Sequence, residues 1–240
     1  MKITKVAAPE PLSRTRNQER GTVVVAAIQM HFDKDSHKHQ SLLAAAIEAA
    51  AAEGAQVVFL PELTLSRYPA DTLPVGTPNE SAEDLLTGPT FRFAAEQARK
   101  HGVFVHASLY QKVGIADGRG LNTAIIVGPD GKLVGSTDKL HIPVTEGYFE
   151  DKYFAAGENT DPYRVHELAL AGAPKLGMPT CWDEWFPEVA RAYGLAGADI
   201  LCYPTAIGSE PDHPDFDTEP LWHQVIVGHA IANGLFIAVP

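Results

Sequence analysis

The sequence predicts an α/β fold, in which buried strands alternate with helices that cover them. Two observations predict it. Short runs such as 23-VVVAAIQM-30 and 235-LFIAVP-240 are apolar at nearly every position, as in strands that are buried on both faces. Between such runs lie longer segments, such as 37-HKHQSLLAAAIEAAAAEG-54, whose alanines and leucines favour a helix. Strands and helices that alternate in this way form sheets with helices packed on their faces.

The remaining elements follow in a regular order. Strands are predicted at 23–30, 56–62, 103–111, 175–180, 198–204 and 235–240, and helices at 37–54, 89–102, 184–197 and 219–234. Gly54 and Gly102 close the first two helices, since glycine is common just past a helix C-terminus. The segment 121–140 contains two apolar runs joined by Pro-Asp-Gly, the composition of a tight hairpin turn. It is the one clear antiparallel pair that the sequence predicts.

Size, charge and composition exclude several classes of protein. A chain of 240 residues with 45% hydrophobic and 20% charged residues suits one globular domain, which we expect at 23–240. The net charge of -11 argues against a nucleic-acid partner. No apolar run reaches about 18 residues, so no membrane span is expected. Residues 1–22 lack the apolar core of a signal peptide, and we expect a flexible leader on a cytoplasmic protein. The ten histidines lack metal-site spacings, and neither a metal nor a cofactor is expected.

Three reactive residue types directly follow predicted strands, where functional side chains of α/β sheets gather. Glu62 is a general base or acid if burial raises its pKa, and Lys139 follows the hairpin. Cys181 precedes a helix, whose N-terminus favours the thiolate. Each also has an ordinary interpretation: a solvated glutamate, a lysine paired with Asp138 on the surface, and a core cysteine. Cys202 lies within an apolar strand and is predicted to be core.

Three segments together resemble the nitrilase superfamily of carbon–nitrogen hydrolases. They are 60-LPELTLSRYP-69, 137-TDKLHIP-143 and 180-TCWDEWFPEVAR-191, in the order that the family has. The resemblance assigns Glu62, Lys139 and Cys181 to a Glu-Lys-Cys triad, and Glu150 to the second glutamate beside the lysine. It also implies an oxyanion and substrate pocket formed by Trp182, Tyr68, His141, Trp185 and Thr205.

The resemblance extends from about Val23 to the end and implies an αββα sandwich. The segment around Cys181, 203-YPTAIGSEP-211 and the helix 219–234 are most similar to N-carbamoylputrescine amidases and β-ureidopropionase-type amidases. The implied reaction is hydrolysis of an N-carbamoyl amine or small amide through a covalent thioester, without a cofactor, in a homodimer or higher homo-oligomer. Nitrilase or omega-amidase activity is the alternative among enzymes. A catalytically impaired binding or scaffold protein is the alternative among other classes.

The sequence departs from the family's pattern at three places. Pro179 stands where relatives commonly have glycine, and Gln111 where many have glutamate. The chain stops at Pro240, before the strands with which relatives continue, so we expect a C-terminally incomplete sandwich with an exposed sheet edge. The substrate stays open between two kinds. The acidic segment 209–220 suits a cationic amine end, whereas Arg67 is the nearest partner for a carboxylate.

Overall fold

The computed structural model describes residues 1–7, 21–158, 161–208, 213 and 215–240. Most of the predicted leader and part of the acidic segment 209–220 lie outside these residues. The described part of the chain forms two sheets, with helices on the outer face of each.

The first sheet has five strands in chain order, which are β1 (Val25–Ala27), β2 (Val57–Phe59), β3 (Phe104–Gln111), β4 (Leu121–Val127) and β5 (Leu133–Asp138). The first three are parallel, and β4 runs antiparallel to both of its neighbours. The predicted hairpin, β4 and β5, is therefore confirmed. The expectation that it is the one antiparallel pair is wrong, because β3 returns directly into β4 through a short connection that contains no helix.

The second sheet has four strands in chain order, which are β6 (His166–Glu167), β7 (Lys175–Gly177), β8 (Ile200–Cys202) and β9 (Phe236–Ala238). The pair β6 and β7 is antiparallel, and the other pairs are parallel. The sequence prediction missed β6, because two residues are too few to show a periodic pattern. Each of the other three strands lies within a predicted apolar run.

The helices are α1 (Ser36–Ala52), α2 (Pro89–His101), α3 (Glu150–Tyr153), α4 (Pro187–Leu195) and α5 (Glu219–Asn233). The side chain of Asp35 accepts hydrogen bonds from two backbone N–H groups at the start of α1. Gly102 and Gly234 end α2 and α5 with φ angles of 66° and 65°. The predicted helix at 184–197 is divided into a 3-10 helix, Cys181–Trp185, and α4, which begins at a proline. Within the described ranges, no helix is long and apolar enough to cross a membrane.

Four layers follow from the alternation of side chains along the strands. Val58 of β2 belongs to the core that includes residues of α1 and α2, whereas Phe59 belongs to the core between the sheets, together with Met178. On the far side of the second sheet, Leu201 of β8 packs in one cluster with Tyr193 of α4. The order is helices, sheet, sheet, helices, so the predicted αββα sandwich is confirmed. Strands that contact a layer on each face need apolar residues at every position.

The layer between the sheets also holds a buried histidine. His106 of β3 faces this layer and is fully buried, and its Nδ1 lies 3.7 Å from Sγ of Cys202 on β8. Burial lowers the pKa of His106 to about 3, because no charged partner offsets the loss of hydration among its described surroundings. Cys202 is fully buried, as the sequence predicts.

The buried His106 should make the fold sensitive to acid. The unfolded chain binds a proton near pH 6.5 and the folded chain near 3, so stability is complete above pH 6.5 and decreases as the pH falls. Between pH 7 and 5 the free energy of unfolding should lose about 2 kcal/mol from this group. This loss is measured by urea unfolding of the wild type and of His106→Gln at both pH values. Equal pH dependence of stability in the two proteins would contradict the attribution of this acid sensitivity to His106.

Candidate active site

Three of the predicted site residues meet at one edge of the two sheets. Glu62 follows β2, Lys139 follows β5 and Glu150 begins α3. The ammonium Nζ of Lys139 lies 3.1 Å from Oε1 of Glu62 and 2.7 Å from Oε2 of Glu150. The side chains of Lys139 and Glu62 are fully buried. The structure thus brings together a lysine and two carboxylates that are distant in the sequence.

Cys181 reaches the same place from the second sheet. It lies beyond β7 as the first residue of the 3-10 helix Cys181–Trp185 and exposes 6% of its surface. Its φ angle is +43°, in the left-handed region that residues other than glycine rarely adopt. The chain therefore turns sharply at the cysteine. Strained backbone conformations of this kind are often found at functional sites.

The thiol of Cys181 is held in its protonated form. Burial raises its pKa well above the usual range and the Glu62 carboxylate raises it further, while Lys139 lowers it. The prediction that the helix N-terminus makes the thiolate the favoured form is therefore wrong. Lys139 opposes the rise in the pKa of the thiol, but burial and the Glu62 carboxylate outweigh it. The reason is that Lys139 shares its single positive charge with two carboxylates, and a one-turn helix adds little to it.

The pKa values of Lys139 and Glu150 are also shifted by their surroundings. Burial alone lowers the pKa of the Lys139 ammonium, but Glu62, Cys181 and Glu150 together raise it well above its usual value. Burial raises the pKa of Glu150, with a further increase from Glu62, while Lys139 opposes both. Lys139 is accordingly a permanent cation, because its carboxylate neighbours outweigh its loss of hydration.

Glu62 has two more hydrogen-bond donors that the sequence did not single out. The amide Nδ2 of Asn122 donates to its Oε1 at 2.7 Å, and the backbone N–H of Ala206 donates to its Oε2 at 2.9 Å. Asn122 is fully buried on β4 within 121-LNTAIIV-127. Asn122 could have been identified as a candidate from the sequence, because it is an amide residue within an otherwise largely apolar strand. A backbone donor such as the N–H of Ala206 cannot be recognised from the sequence, because nearly every residue type has one.

Asp183 ties the segment that carries Lys139 to the segment that carries Cys181. Its Oδ1 accepts hydrogen bonds from the backbone N–H of His141 at 2.8 Å and of Leu140 at 3.2 Å, and contacts His141 Nδ1 at 2.8 Å. Its Oδ2 accepts from the backbone N–H of Thr180 at 3.0 Å. The carboxylate is therefore directed away from the sulfur, although the residue is only two positions from it.

The neighbouring Glu184 has a different environment. It is fully buried, and neither carboxyl oxygen has a hydrogen-bond partner among the described residues. Burial raises its pKa to about 8. Its backbone carbonyl contacts Nε2 of His229 on α5 at 2.8 Å, so the 3-10 helix is also attached to the outer helical layer.

Two of the five predicted pocket residues line a cavity of about 1430 Å³ that reaches Glu62. Tyr68 lies at this cavity and its hydroxyl donates to Oε1 of Glu150 at 2.8 Å. Burial and then Glu150 raise the pKa of the Tyr68 phenol, so it stays a donor. Thr205 lines the cavity beside Ala206. Neither Lys139 nor Cys181 belongs to the described lining.

The other three predicted pocket residues do not belong to the described lining of the cavity. His141 stacks on Phe186 with ring centroids 3.6 Å apart, in addition to its contact with Asp183. Trp182 and Trp185 pack edge to face at 6.2 Å, and Trp185 in turn contacts Trp222, which lines the cavity. As the second residue of its helix, Trp182 has no acceptor within that helix for its N–H.

Gln111 and Arg67 are both engaged within the fold. The side-chain oxygen of Gln111 accepts a hydrogen bond from the Thr123 hydroxyl at 2.8 Å. Arg67 pairs with Asp71 and donates to the carbonyl of Tyr68 at 3.1 Å, so its charge is offset. In the part of the chain that the structure describes, no group of three His, Cys, Asp or Glu side chains could hold a metal ion.

The two-sheet fold and the buried cluster of carboxylates, ammonium and thiol agree with the family resemblance seen in the sequence. Residues 24–240 match the family model of carbon–nitrogen hydrolases. The chain belongs to this family, and the sequence prediction is confirmed.

Two curated relatives and one solved structure show how close the similarity is. Citrullinase of Francisella tularensis subsp. tularensis is 35% identical, over 89% of this chain and 71% of the relative. N-carbamoylputrescine amidase of Arabidopsis thaliana is 34% identical, over 89% of this chain and 69% of the relative. A carbon–nitrogen hydrolase of Helicobacter pylori G27 superposes with a TM-score of 0.76 at 29% identity, covering 90% of this chain and 72% of that one. Homo-oligomeric assembly and a cytoplasmic location stay predictions of the sequence.

The substitution Asp183→Asn should loosen the connection between the two segments. An amide NH₂ in place of Oδ2 would face the Thr180 N–H, so one buried donor would lose its acceptor. We expect the free energy of unfolding to fall by about 1–3 kcal/mol in urea at pH 7. Glu188→Gln, an exposed change in the first turn of α4, is the control and should leave stability unchanged. Equal effects of the two changes would contradict the connecting role of Asp183.

Proposed function

We propose that the chain is an amidase that hydrolyses the terminal C–N bond of N-carbamoyl amines through Glu62, Lys139 and Cys181. The observation that carries the proposal is the contact of one buried ammonium, Lys139, with Glu62 at 3.1 Å and Glu150 at 2.7 Å, next to a buried thiol. Burial of this much charge has a large free-energy cost, which a purely structural role would not require.

In the first step, Glu62 takes the proton of the Cys181 thiol as the sulfur attacks the carbonyl carbon of the substrate. Because the raised pKa of Cys181 keeps the thiol protonated, attack and proton transfer occur together rather than from a preformed thiolate. Among the described residues, Oε2 of Glu62 accepts a hydrogen bond from the Ala206 N–H, whereas Oε1 accepts from both Lys139 and Asn122. The proton therefore goes to Oε2, which has the free lone pair.

The oxyanion that forms on the carbonyl oxygen needs donors that are already in place. Lys139 supplies a charged donor and the backbone N–H of Trp182 supplies a neutral one. The protonated Glu62 then gives its proton to the leaving nitrogen, the C–N bond breaks, and ammonia departs from a thioester on Cys181. Glu150 keeps Lys139 in place through its 2.7 Å contact.

Water completes the reaction. Glu62 takes a proton from the water that attacks the thioester carbon, and the same two donors hold the second oxyanion. The C–S bond then breaks, and Glu62 returns its proton to the sulfur. With a ureido substrate the acid released is a carbamic acid, which decomposes to carbon dioxide and an amine.

The charges around the cavity favour substrates with a cationic amine end. Among the described residues, the lining includes the carboxylate of Glu219 and no lysine or arginine, while the charge of the lining residue Asp71 is offset by Arg67. Arg67 pairs with Asp71, which leaves it a poor partner for a substrate carboxylate. The names of the two curated relatives, citrullinase and N-carbamoylputrescine amidase, both denote substrates with a ureido group and an amine.

The nucleophile is tested by Cys181→Ala, with Cys202→Ala as the matched control. Ammonia release is measured with N-carbamoylputrescine, citrulline, N-carbamoyl-β-alanine, a simple amide and a nitrile. We expect the wild type and Cys202→Ala to prefer the first compound, and Cys181→Ala to be inactive because no thioester can form. Intact-protein mass spectra should show an acyl adduct in the first two proteins alone. Undiminished turnover by Cys181→Ala would overturn the mechanism, and an inert wild type would favour the scaffold alternative.

Lys139→Met tests the cation separately from the thiol. Activity should fall by at least about 10²–10³-fold, the effect of losing one oxyanion donor. The free energy of unfolding should fall by about 3–5 kcal/mol, because Glu62 and Glu150 lose the cation between them. Adding Glu150→Gln should restore part of the stability but none of the activity. Recovery of activity in the double variant would contradict the role of Lys139.

A further inference from the structure

We propose that Asn122, oriented by Ser108, is a positioning residue that keeps Glu62 ready to accept the thiol proton. The inference rests on the proposed role of Glu62 as the base. It assigns a function to two fully buried polar residues on neighbouring strands, β3 and β4, that the triad does not include.

The two residues form a continuous chain of hydrogen bonds that starts and ends beside Glu62. The backbone N–H of Leu63 donates to Oγ of Ser108 at 3.2 Å. The Ser108 hydroxyl donates to Oδ1 of Asn122 at 3.2 Å, and Nδ2 of Asn122 donates to Oε1 of Glu62 at 2.7 Å. All of these donors and acceptors belong to buried residues.

The direction of this chain is fixed at its first member. A backbone N–H can only donate, so Ser108 Oγ must accept from Leu63 and has one hydrogen left for Oδ1 of Asn122. The amide of Asn122 is thereby oriented with its NH₂ group toward Glu62. Two further bonds hold Ser108 to the segment that follows Glu62. Thr64 N–H donates to the Ser108 carbonyl at 2.9 Å, and Ser108 N–H donates to the Thr64 hydroxyl oxygen at 3.0 Å.

The orientation matters because an NH₂ group stabilises a carboxylate and not a carboxylic acid at the same oxygen. With Asn122 and Lys139 on Oε1, a proton on that oxygen would meet two donors, so only Oε2 can receive it. The backbone carbonyl of Asn122 also accepts the N–H of Lys139 at 2.8 Å. One residue thus positions both the base and the cation.

A merely structural Asn122 would affect stability without changing the pH at which the base becomes active. The two roles are therefore separated by the pH dependence of kcat/KM, whose acidic limb reports ionisation of groups in the free enzyme. Thr123→Val is the matched control. Thr123 is buried on the same strand and loses comparable hydrogen bonds, but its hydroxyl contacts Gln111 and Asp138 instead of Glu62.

The test compares Asn122→Asp, Ser108→Ala and Thr123→Val with the wild type on N-carbamoylputrescine between pH 5 and 9. Asn122→Asp keeps the size of the side chain but places a carboxyl oxygen against Glu62. The acidic limb should move up by about one pH unit or more, because the pair retains a proton that the wild type releases. Ser108→Ala should move it in the same direction by less, since Asn122 loses its orienting donor but keeps its NH₂ group. Thr123→Val should not move it. An Asn122→Asp profile equal to that of the wild type would overturn the inference.

A second measurement does not depend on turnover. The rate at which iodoacetamide alkylates Cys181, followed by intact-protein mass spectrometry across the same pH range, reports proton removal by Glu62 directly. Asn122→Asp should shift this profile upward and Thr123→Val should not. If no ureido compound or amide is hydrolysed but the shift is present, the proposed function fails while the inference about Asn122 stands. If turnover is normal and both profiles are unshifted, the inference alone fails.

Discussion

The ion pairs of Lys139 are the interaction on which the rest of the site depends. An ammonium with no exposure to water is stable only when opposite charge and hydrogen bonds replace its hydration, and Glu62 and Glu150 supply both. Each of these two buried carboxylates in turn needs further hydrogen-bond donors. Glu150 requires the Tyr68 hydroxyl, and Glu62 requires Asn122 and the Ala206 N–H. The cluster with its neutral thiol therefore carries one net negative charge, which contributes to the raised pKa of the cysteine.

The layer between the two sheets changes from apolar to polar along its length. Between the middles of the two sheets it is mostly apolar, with Phe59 and Met178 in one cluster and His106 as a buried polar exception. Toward the carboxyl ends of the parallel strands, buried polar groups such as Ser108 and Asn122 replace the apolar ones. Few waters can enter such a layer, so a polar group there is stabilised mainly when the protein supplies its hydrogen-bond partner. This requirement produces the continuous network of directed hydrogen bonds around Glu62.

The sequence predicted the architecture and the positions of the charged residues, but not the network. Apolar runs and glycine stops located nearly all strands and helices, and strand ends pointed to Glu62, Lys139 and Cys181. The family motifs added Glu150. Ala206 could not be predicted, since any residue has a backbone N–H, and the amide of Asn122 is meaningful only once β3 and β4 are paired in register. The protonation of the thiol depends on burial and on the sharing of one cation by two acids, neither of which local sequence records.

The groups of the proposed reaction come from different sheets. Glu62 and Lys139 extend from the first sheet and Cys181 from the second, with the Ala206 N–H reaching across to Glu62. The distance between the Cys181 sulfur and Glu62, the proposed base, therefore depends on the thickness of the apolar layer between the sheets. Protein interiors are packed so closely that a change of one methylene group is felt by its neighbours. A residue such as Phe59, which lies in this layer, thus takes part in setting the gap that the proton crosses in the proposed mechanism.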